Sequence, residues 1–435
     1  MADFAARLKA PPKMSATLTI NSKVNDLLAA GQPVYHLGFG ESRFPVHPKI
    51  LAAFQQHASA RSYLPVAGLP QLRRAVAQFY RRHFQLVVQA EQVLVGSGSK
   101  SLLYAALHAL EGDLLLPQPS WVSYETQAQL TGKAVTWLPT RLADDYCLTP
   151  PALEKGLAAA RSAGQWPRIL ILTSPNNPTG VTYPAALLAD LAEVARRETI
   201  TIISDEIYGL TCHAGGHVSL AQHYPEGTIV SGGLSKHLSL GGWRLGVAVL
   251  PANDFGAALF AYMSAVAGAI WTSPAAPVQH AAVVAYSHDP EIETYIRTCT
   301  AIHGIVTGYL YRLLQDLYIP CPKPAGGFYL YPSFDPWREQ LAVRHGVRTS
   351  QDLAHLLLDE MQIATLPGSD FGDDPDRLRL RLATSYLYAL DDQQAQAVLE
   401  QYHPGLSPEP FLRAACPGVI AVGERLRAFV AGLGG

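Results

Sequence analysis

Four short segments of this chain combine residue types that can do chemistry, and they follow one another in a fixed order. The first is Gly98-Ser99-Lys100, between a strand-like run and a helix-like one. Read alone it is an ordinary helix cap, but the free amides and positive end of a helix start also suit a phosphate. The second is Ser174-Pro175-Asn176-Asn177-Pro178-Thr179-Gly180, at the end of an apolar strand. Turn chemistry accounts for its composition. Its two prolines also leave Asn177 projecting at the carboxyl end of the sheet, where open α/β sheets bind ligands. The third is Ser204-Asp205-Glu206-Ile207-Tyr208, an acid closing a buried strand, which either caps a helix or faces a ligand. The fourth runs from Ser231 to Gly246 and holds Lys236 among small neutral residues, with Arg244 eight positions later in a glycine-rich turn. A lysine shielded in this way loses proton affinity and becomes a usable amine nucleophile.

Other motifs fall away on spacing. Gly96-Ser97-Gly98-Ser99-Lys100-Ser101 lacks the glycine before lysine that a phosphate-binding P-loop needs. No G-x-G-x-x-G follows a strand, and no H-E-x-x-H or other clustered ligand set points to a metal. Ser97-x-x-Lys100 matches one motif of serine acyl-enzymes, but the K-T-G partner is missing. What remains is a phosphate cradle, an amine nucleophile, a carboxylate able to pair with a pyridinium nitrogen, and a second cation for phosphate. Pyridoxal 5'-phosphate requires that set.

At these motifs the chain resembles the class I/II, fold-type-I aminotransferases. The resemblance runs from about residue 13 to about 400 and is nearest to the bacterial aspartate/prephenate branch. It implies that Lys236 carries the cofactor as a Schiff base and then moves the substrate proton. It implies that Asp205 pairs with the ring nitrogen, that Tyr208 and Asn177 bond the 3'-oxygen, and that Arg244, Ser99 and Lys100 hold the phosphate. Trp121, in Pro119-Ser120-Trp121-Val122-Ser123-Tyr124, matches the aromatic stacked on the ring. Tyr63 matches a tyrosine that reaches the phosphate of a partner subunit, which implies a homodimer with shared active sites. Arg379, in Arg379-Leu380-Arg381-Leu382-Ala383-Thr384-Ser385, matches the arginine that grips the substrate α-carboxylate. Arg377 and Arg381 share its period-2 face, and Arg379 is chosen by its distance from the Ala-Thr-Ser segment. Gly40 matches a backbone contact to the same carboxylate. Lys13 and Lys100 match lysines that hold a distal carboxylate, which implies an acidic amino acid and its 2-oxo acid partner. Read alone, Lys13 is equally a solvated lysine.

Three departures stand out. The branch usually reads G-E-P-D-F where this chain has Gly40-Glu41-Ser42-Arg43-Phe44, and Arg43 adds charge near the substrate mouth. Gly233 stands where many members carry a serine on the phosphate. The tail from about Gly405 to Gly435 passes the usual end. The alternatives are an aromatic-type aminotransferase, a β-lyase or a specialised deaminase on the same fold, and a non-catalytic sensor.

The elements that must position these residues alternate between strand and helix. Strands are expected at Val93–Val95, Asp113–Pro117, Ala134–Pro139, Arg168–Thr173, Thr199–Ser204, Thr228–Ser231 and Leu245–Leu250, with helices at Lys100–Leu110, Ser120–Leu130 and Ala185–Arg197 between them. Continuous apolar runs such as Ile169-Leu170-Ile171-Leu172 suit parallel strands buried on both faces. The expectation is an α/β protein: a large domain at 47–288 with a mainly parallel sheet, a smaller α+β domain from 1–46 with 289–403, and an extension at 404–435. The smaller domain is expected to hold a helix at Asn21–Ala30, a long helix from Pro290 to about Gln315, a helix near Ser350–Met361, and strands at Ile363–Leu366 and Leu378–Ala383. One more helix is expected near Val419–Val430.

Composition narrows the rest. The 435 residues are 49% hydrophobic and 16% charged, which excludes a disordered chain. A net charge of −2 leaves no basic excess for nucleic acid. No apolar run is long enough for a membrane span. Five cysteines without a C-x-x-C pair suit a reducing compartment, hence a cytoplasmic protein.

Overall fold

The structure, a computed structural model, describes residues 16–434. Its centre is a seven-stranded sheet built from β1 (Val93–Gly96), β2 (Asp113–Gln118), β3 (Val135–Pro139), β4 (Pro167–Thr173), β5 (Thr201–Asp205), β6 (Thr228–Gly233) and β7 (Gly246–Val249). All seven expected strands form, each displaced by at most two residues at either end. The spatial order is β1-β7-β6-β5-β4-β2-β3. Pairing is parallel except at β7, which runs antiparallel to both β6 and β1.

Alternate residues of each strand enter two different cores. Leu94, Leu114, Leu116, Ile169, Ile171, Ile203 and Ile229 meet the helices Ser99–Ala109 and Asp254–Ile270 on one face. On the other face Val93, Val95, Val230 and Val247 join one cluster, and Leu115, Leu170, Leu172 and Ile202 another. Both faces are covered, so the strands read as unbroken apolar runs. Each such side chain contributes about 1.5–3 kcal/mol by leaving water.

A second core lies apart from this sheet. The long helix Pro290–Asp316 crosses it, contributing Cys299, Ile302, Val306, Leu310 and Leu313. Two short sheets border it. Tyr35–His36 pairs in parallel with Ile363–Ala364, and Leu380–Ala383 sits between Leu366–Pro367 and Tyr329–Leu330. The expected helix at Ser350–Met361 forms with those bounds, closed at its start by a reciprocal cap between Thr349 and Asp352. The N-terminal helix covers Ala16–Ala29.

The tail was expected to hold one helix and holds two, Pro408–Ala415 and Pro417–Gly434. Both end in this second core: Phe411, Leu412, Val419, Val422, Leu426 and Phe429 are buried in it. The prolines that broke the apolar pattern in the sequence stand at helix starts, where proline is tolerated. Among the described residues no helix is long and apolar enough to cross a membrane.

Candidate active site

The chain's chemistry collects at the carboxyl edge of the seven-stranded sheet. Asp205 is the last residue of β5, and Asn177 lies four past the end of β4. Lys236 lies three past β6, Ser99 three past β1, and Trp121 three past β2. Arg244 reaches the same edge by another route. Because β7 is reversed, its amino end lies there, and Arg244 precedes it by two residues. These residues, with Gly40, Lys100 and Tyr208, line one cavity of about 410 Å³.

One corner of the cavity suits an anion. Gly98, at φ +79, opens the helix Ser99–Ala109. A Cβ on Gly98 would stand 2.3 Å from Nη2 of Arg244, so the guanidinium lies against the helix start. A Cβ on Gly246 would stand 2.2 Å from the Ser99 amide nitrogen, so glycine is required there as well. The amides of the first turn and the Arg244 fork face the same space. Lys100 sits 5.0 Å over the Trp121 ring, and burial lowers its proton affinity.

On the floor, Asp205 is 2% exposed. Burial raises its carboxyl to about 6, opposed by a 2.7 Å hydrogen bond from the Tyr124 hydroxyl and by the Ile207 amide. A cation placed against this acid would hold it ionised. Lys236 is half-buried beside it. Burial lowers its ammonium from 10.5 to about 8, opposed by the Glu41 carboxylate. Its Nζ donates to the Gly40 carbonyl at 2.7 Å. Gly40 is a close approach: a Cβ there would stand 2.0 Å from the Tyr329 hydroxyl. The Tyr208 and Tyr329 hydroxyls meet at 2.6 Å.

The arginine assignment needs correction. Arg379 does not line the cavity. Its Nη1 meets both oxygens of Asp373, at 3.0 and 2.9 Å, and its guanidinium lies 5.4 Å over Tyr146. Arg381 is the arginine inside, 1% exposed. Its guanidinium donates to the Gly38 carbonyl at 2.5 Å and to Oδ1 of Asn177 at 3.3 Å, between the rings of Tyr329 and Phe371. The strand begins only at Leu380, after a turn in which the Arg379 amide bonds the Arg377 carbonyl. The turn takes Arg377 out of the period-2 pattern, and Arg379, bridged to Ser333, stands just before the strand, two residues from the arginine that reaches the cavity.

Two further candidates lie elsewhere. Tyr63 is 91% exposed on this chain and does not line the cavity. Lys13 lies outside the described residues. Arg43 also stays out of the cavity: its guanidinium donates to the Leu390 carbonyl and lies 5.0 Å over Tyr386. Sequence reasoning missed Tyr124, Tyr329 and Glu41 as cavity residues. Tyr124 is visible in hindsight, four residues after Ser120 in the same aromatic segment. Tyr329 and Glu41 depend on long-range packing that no local spacing reveals.

A half-buried lysine, a buried acid and an anion corner thus gather at one edge of a mainly parallel sheet. Residues 32–392 match the model of aminotransferase class I and II, and the chain belongs to that family. It is similar to an aspartate aminotransferase of Geobacillus stearothermophilus, 34% identical over 85% of this chain and 92% of that one. An aspartate/prephenate aminotransferase of Cereibacter sphaeroides is 32% identical over 88% and 94% respectively. The solved aspartate aminotransferase of Thermus thermophilus with maleate superposes with a TM-score of 0.81 at 26% identity, covering 97% of this chain and all of that one. The chain is accordingly an aminotransferase, with the fold-type-I architecture.

Proposed function

We propose that this enzyme binds pyridoxal 5'-phosphate in the cavity above and moves the amino group of an acidic L-amino acid, aspartate or glutamate, to a 2-oxo acid. The observation that carries the reading is the Lys236–Asp205 pair beside the Ser99–Arg244 anion corner. When bound, the cofactor supplies an electron sink for the electrons left at Cα.

The residues of the chain divide the remaining work. The helix start at Ser99 and the Arg244 fork take the phosphate. Asp205, its carboxylate oriented by Tyr124, holds a proton on the ring nitrogen. Trp121 covers a ring face, while Tyr208 and Asn177 orient its oxygen. Lys236, its ammonium lowered by burial to about 8, is both amine nucleophile and the base that shifts the proton at Cα. Arg381 takes the α-carboxylate, and the Gly40 backbone flanks it.

Acidic substrates are supported by Lys100 in the cavity and by the relatives named for aspartate, one of them solved with the dicarboxylate maleate. A homodimer is supported by exposed apolar surface on the large half: Tyr63, Tyr262 and Ile270 are 91%, 48% and 62% exposed. In such a dimer Tyr63 would serve the partner's phosphate. The division into a large and a small domain is supported by the separate core around the long helix. Five unpaired cysteines support a cytoplasmic setting.

The experiment is a donor and acceptor panel on the cofactor-loaded protein. Aspartate and glutamate should give the highest kcat/KM. An aromatic donor exceeding both would replace the acidic reading with the aromatic-type one. Elimination products without amino transfer would point to a β-lyase or deaminase.

A further inference from the structure

Three consecutive residues run along the loop that carries Lys236. The Gly40 carbonyl accepts from Nζ of Lys236 at 2.7 Å. Oε1 of Glu41 lies 3.2 Å from where a Cβ on Gly241 would stand. Oγ of Ser42 lies 2.6 Å from Oγ of Ser239. The Ser42 hydroxyl also meets Nε2 of His303 at 3.3 Å, and Nδ1 of His303 meets the Tyr388 hydroxyl at 2.7 Å.

Three of these four side chains are buried, and Ser239 is half-buried. Ser42 is 3% exposed and His303 is 1% exposed. The His303 ring is fixed by the edge of Phe44 at 5.3 Å and by Phe328 at 4.9 Å. Ser239 adopts φ +58, a left-handed conformation that a serine keeps only where its surroundings hold it. The Ser42 to Ser239 contact therefore joins the segment that closes the cavity to the loop of the reacting amine, and His303 and Tyr388 anchor its far end.

We propose that Ser42 is a positioning residue for amino transfer: through Ser239 it holds the Gly40 carbonyl against the free amine of Lys236. The inference rests on the reading of Lys236 as the reacting amine. Without the tether, the Gly40–Ser42 segment drifts from the lysine loop, and Gly40 loses its place beside both the amine and the substrate carboxylate. Small displacements of this kind are costly in rate.

The test uses Ser42→Ala and Ser239→Ala, singly and together, so that one misfolded variant does not decide it. In cofactor-free protein, the rate at which a trace acylating reagent labels Lys236 is followed across pH by peptide mass spectrometry. In cofactor-loaded protein, kcat and KM for aspartate are measured. Each single change should make Lys236 label severalfold faster and lower kcat/KM by about 3- to 10-fold, the ordinary worth of one hydrogen bond. The double variant should be no worse than the poorer single one, because both break the same contact. Labelling and kcat/KM within twofold of the parent, with only the melting temperature lowered, would overturn the proposal. Losses that multiply in the double variant would overturn it too. If Lys236→Ala instead retained transfer, the reading of the amine would fail, while the labelling of cofactor-free protein would still decide the tether.

Discussion

The sheet edge and the segment that arches over it build one cavity by different means. At the edge, each reactive side chain sits within four residues of a strand end, so a local motif and a buried strand suffice to place it. Asp205, Asn177, Lys236 and Ser99 all follow that rule. Over the arch, Gly40 and Glu41 follow Tyr35–His36, a short strand paired with Ile363–Ala364 more than 300 residues away, and Arg381, in Leu380–Ala383, bonds the Gly38 carbonyl across 343 positions. The difference teaches that chemistry is local on the sheet and collective on the arch, so substitutions in the two regions should fail differently.

The largest effect belongs at the edge. Lys236→Ala should lower kcat by about 10³-fold or more, because nucleophile and base are lost together. The overall fold should be unchanged by circular dichroism. On the arch side the comparable loss is one of stability. Leu426→Ala, in the tail helix Pro417–Gly434, empties space in the second core and should cost about 2–5 kcal/mol in denaturant unfolding. Its kcat at low temperature should stay near the parent's. A tail variant that lost activity before stability would break the contrast.

The third prediction follows from the buried ammonium. Lys236 in the folded, cofactor-free protein titrates near 8, against 10.5 as the ordinary value. A lowered lysine pKa means that the unfolded chain binds more protons between those values, so stability rises with pH there. Below about pH 8 both states are protonated and the full cost of burying the charge is present. Cofactor-free Lys236→Met should therefore be more stable than the parent at pH 7, by up to about 3 kcal/mol. The gap should narrow as pH climbs from about 8 to 10.5. Parallel stability curves would mean that Lys236 is not desolvated.

The smallest effect sharpens the comparison most. Arg381→Ala should raise KM for every amino donor by roughly ten- to hundred-fold, the worth of a charge-assisted fork. Arg379→Ala should leave KM within about twofold and lower stability by about 1–3 kcal/mol, because Asp373 keeps its Tyr331 hydroxyl but loses its cation. Reversed results would restore the assignment made from spacing alone.

These two arginines also mark where the sequence stops being legible. The seven strands were readable because both faces of the sheet are apolar, and the edge residues because each motif closes a strand. The choice between Arg379 and Arg381 was not, because the two stand two residues apart and only their partners separate them, Asp373 for Arg379 and Gly38 with Asn177 for Arg381. Helices such as Pro70–Phe84 and the first of the tail, Pro408–Ala415, escaped notice for another reason. Their first residue is proline, which reads as a break until the chain beyond it is seen to pack. Tyr124 stood in view, but its bond to Asp205 spans 81 positions.

The central claim is that Lys236 is the amine that engages pyridoxal 5'-phosphate. The most direct measurement is borohydride reduction of the cofactor-loaded protein followed by peptide mapping. The account predicts a single pyridoxyl group on the peptide that contains Lys236, with none fixed in Lys236→Ala. Label on Lys100 or another lysine, or no fixed label in a protein that still transfers amino groups, would contradict it.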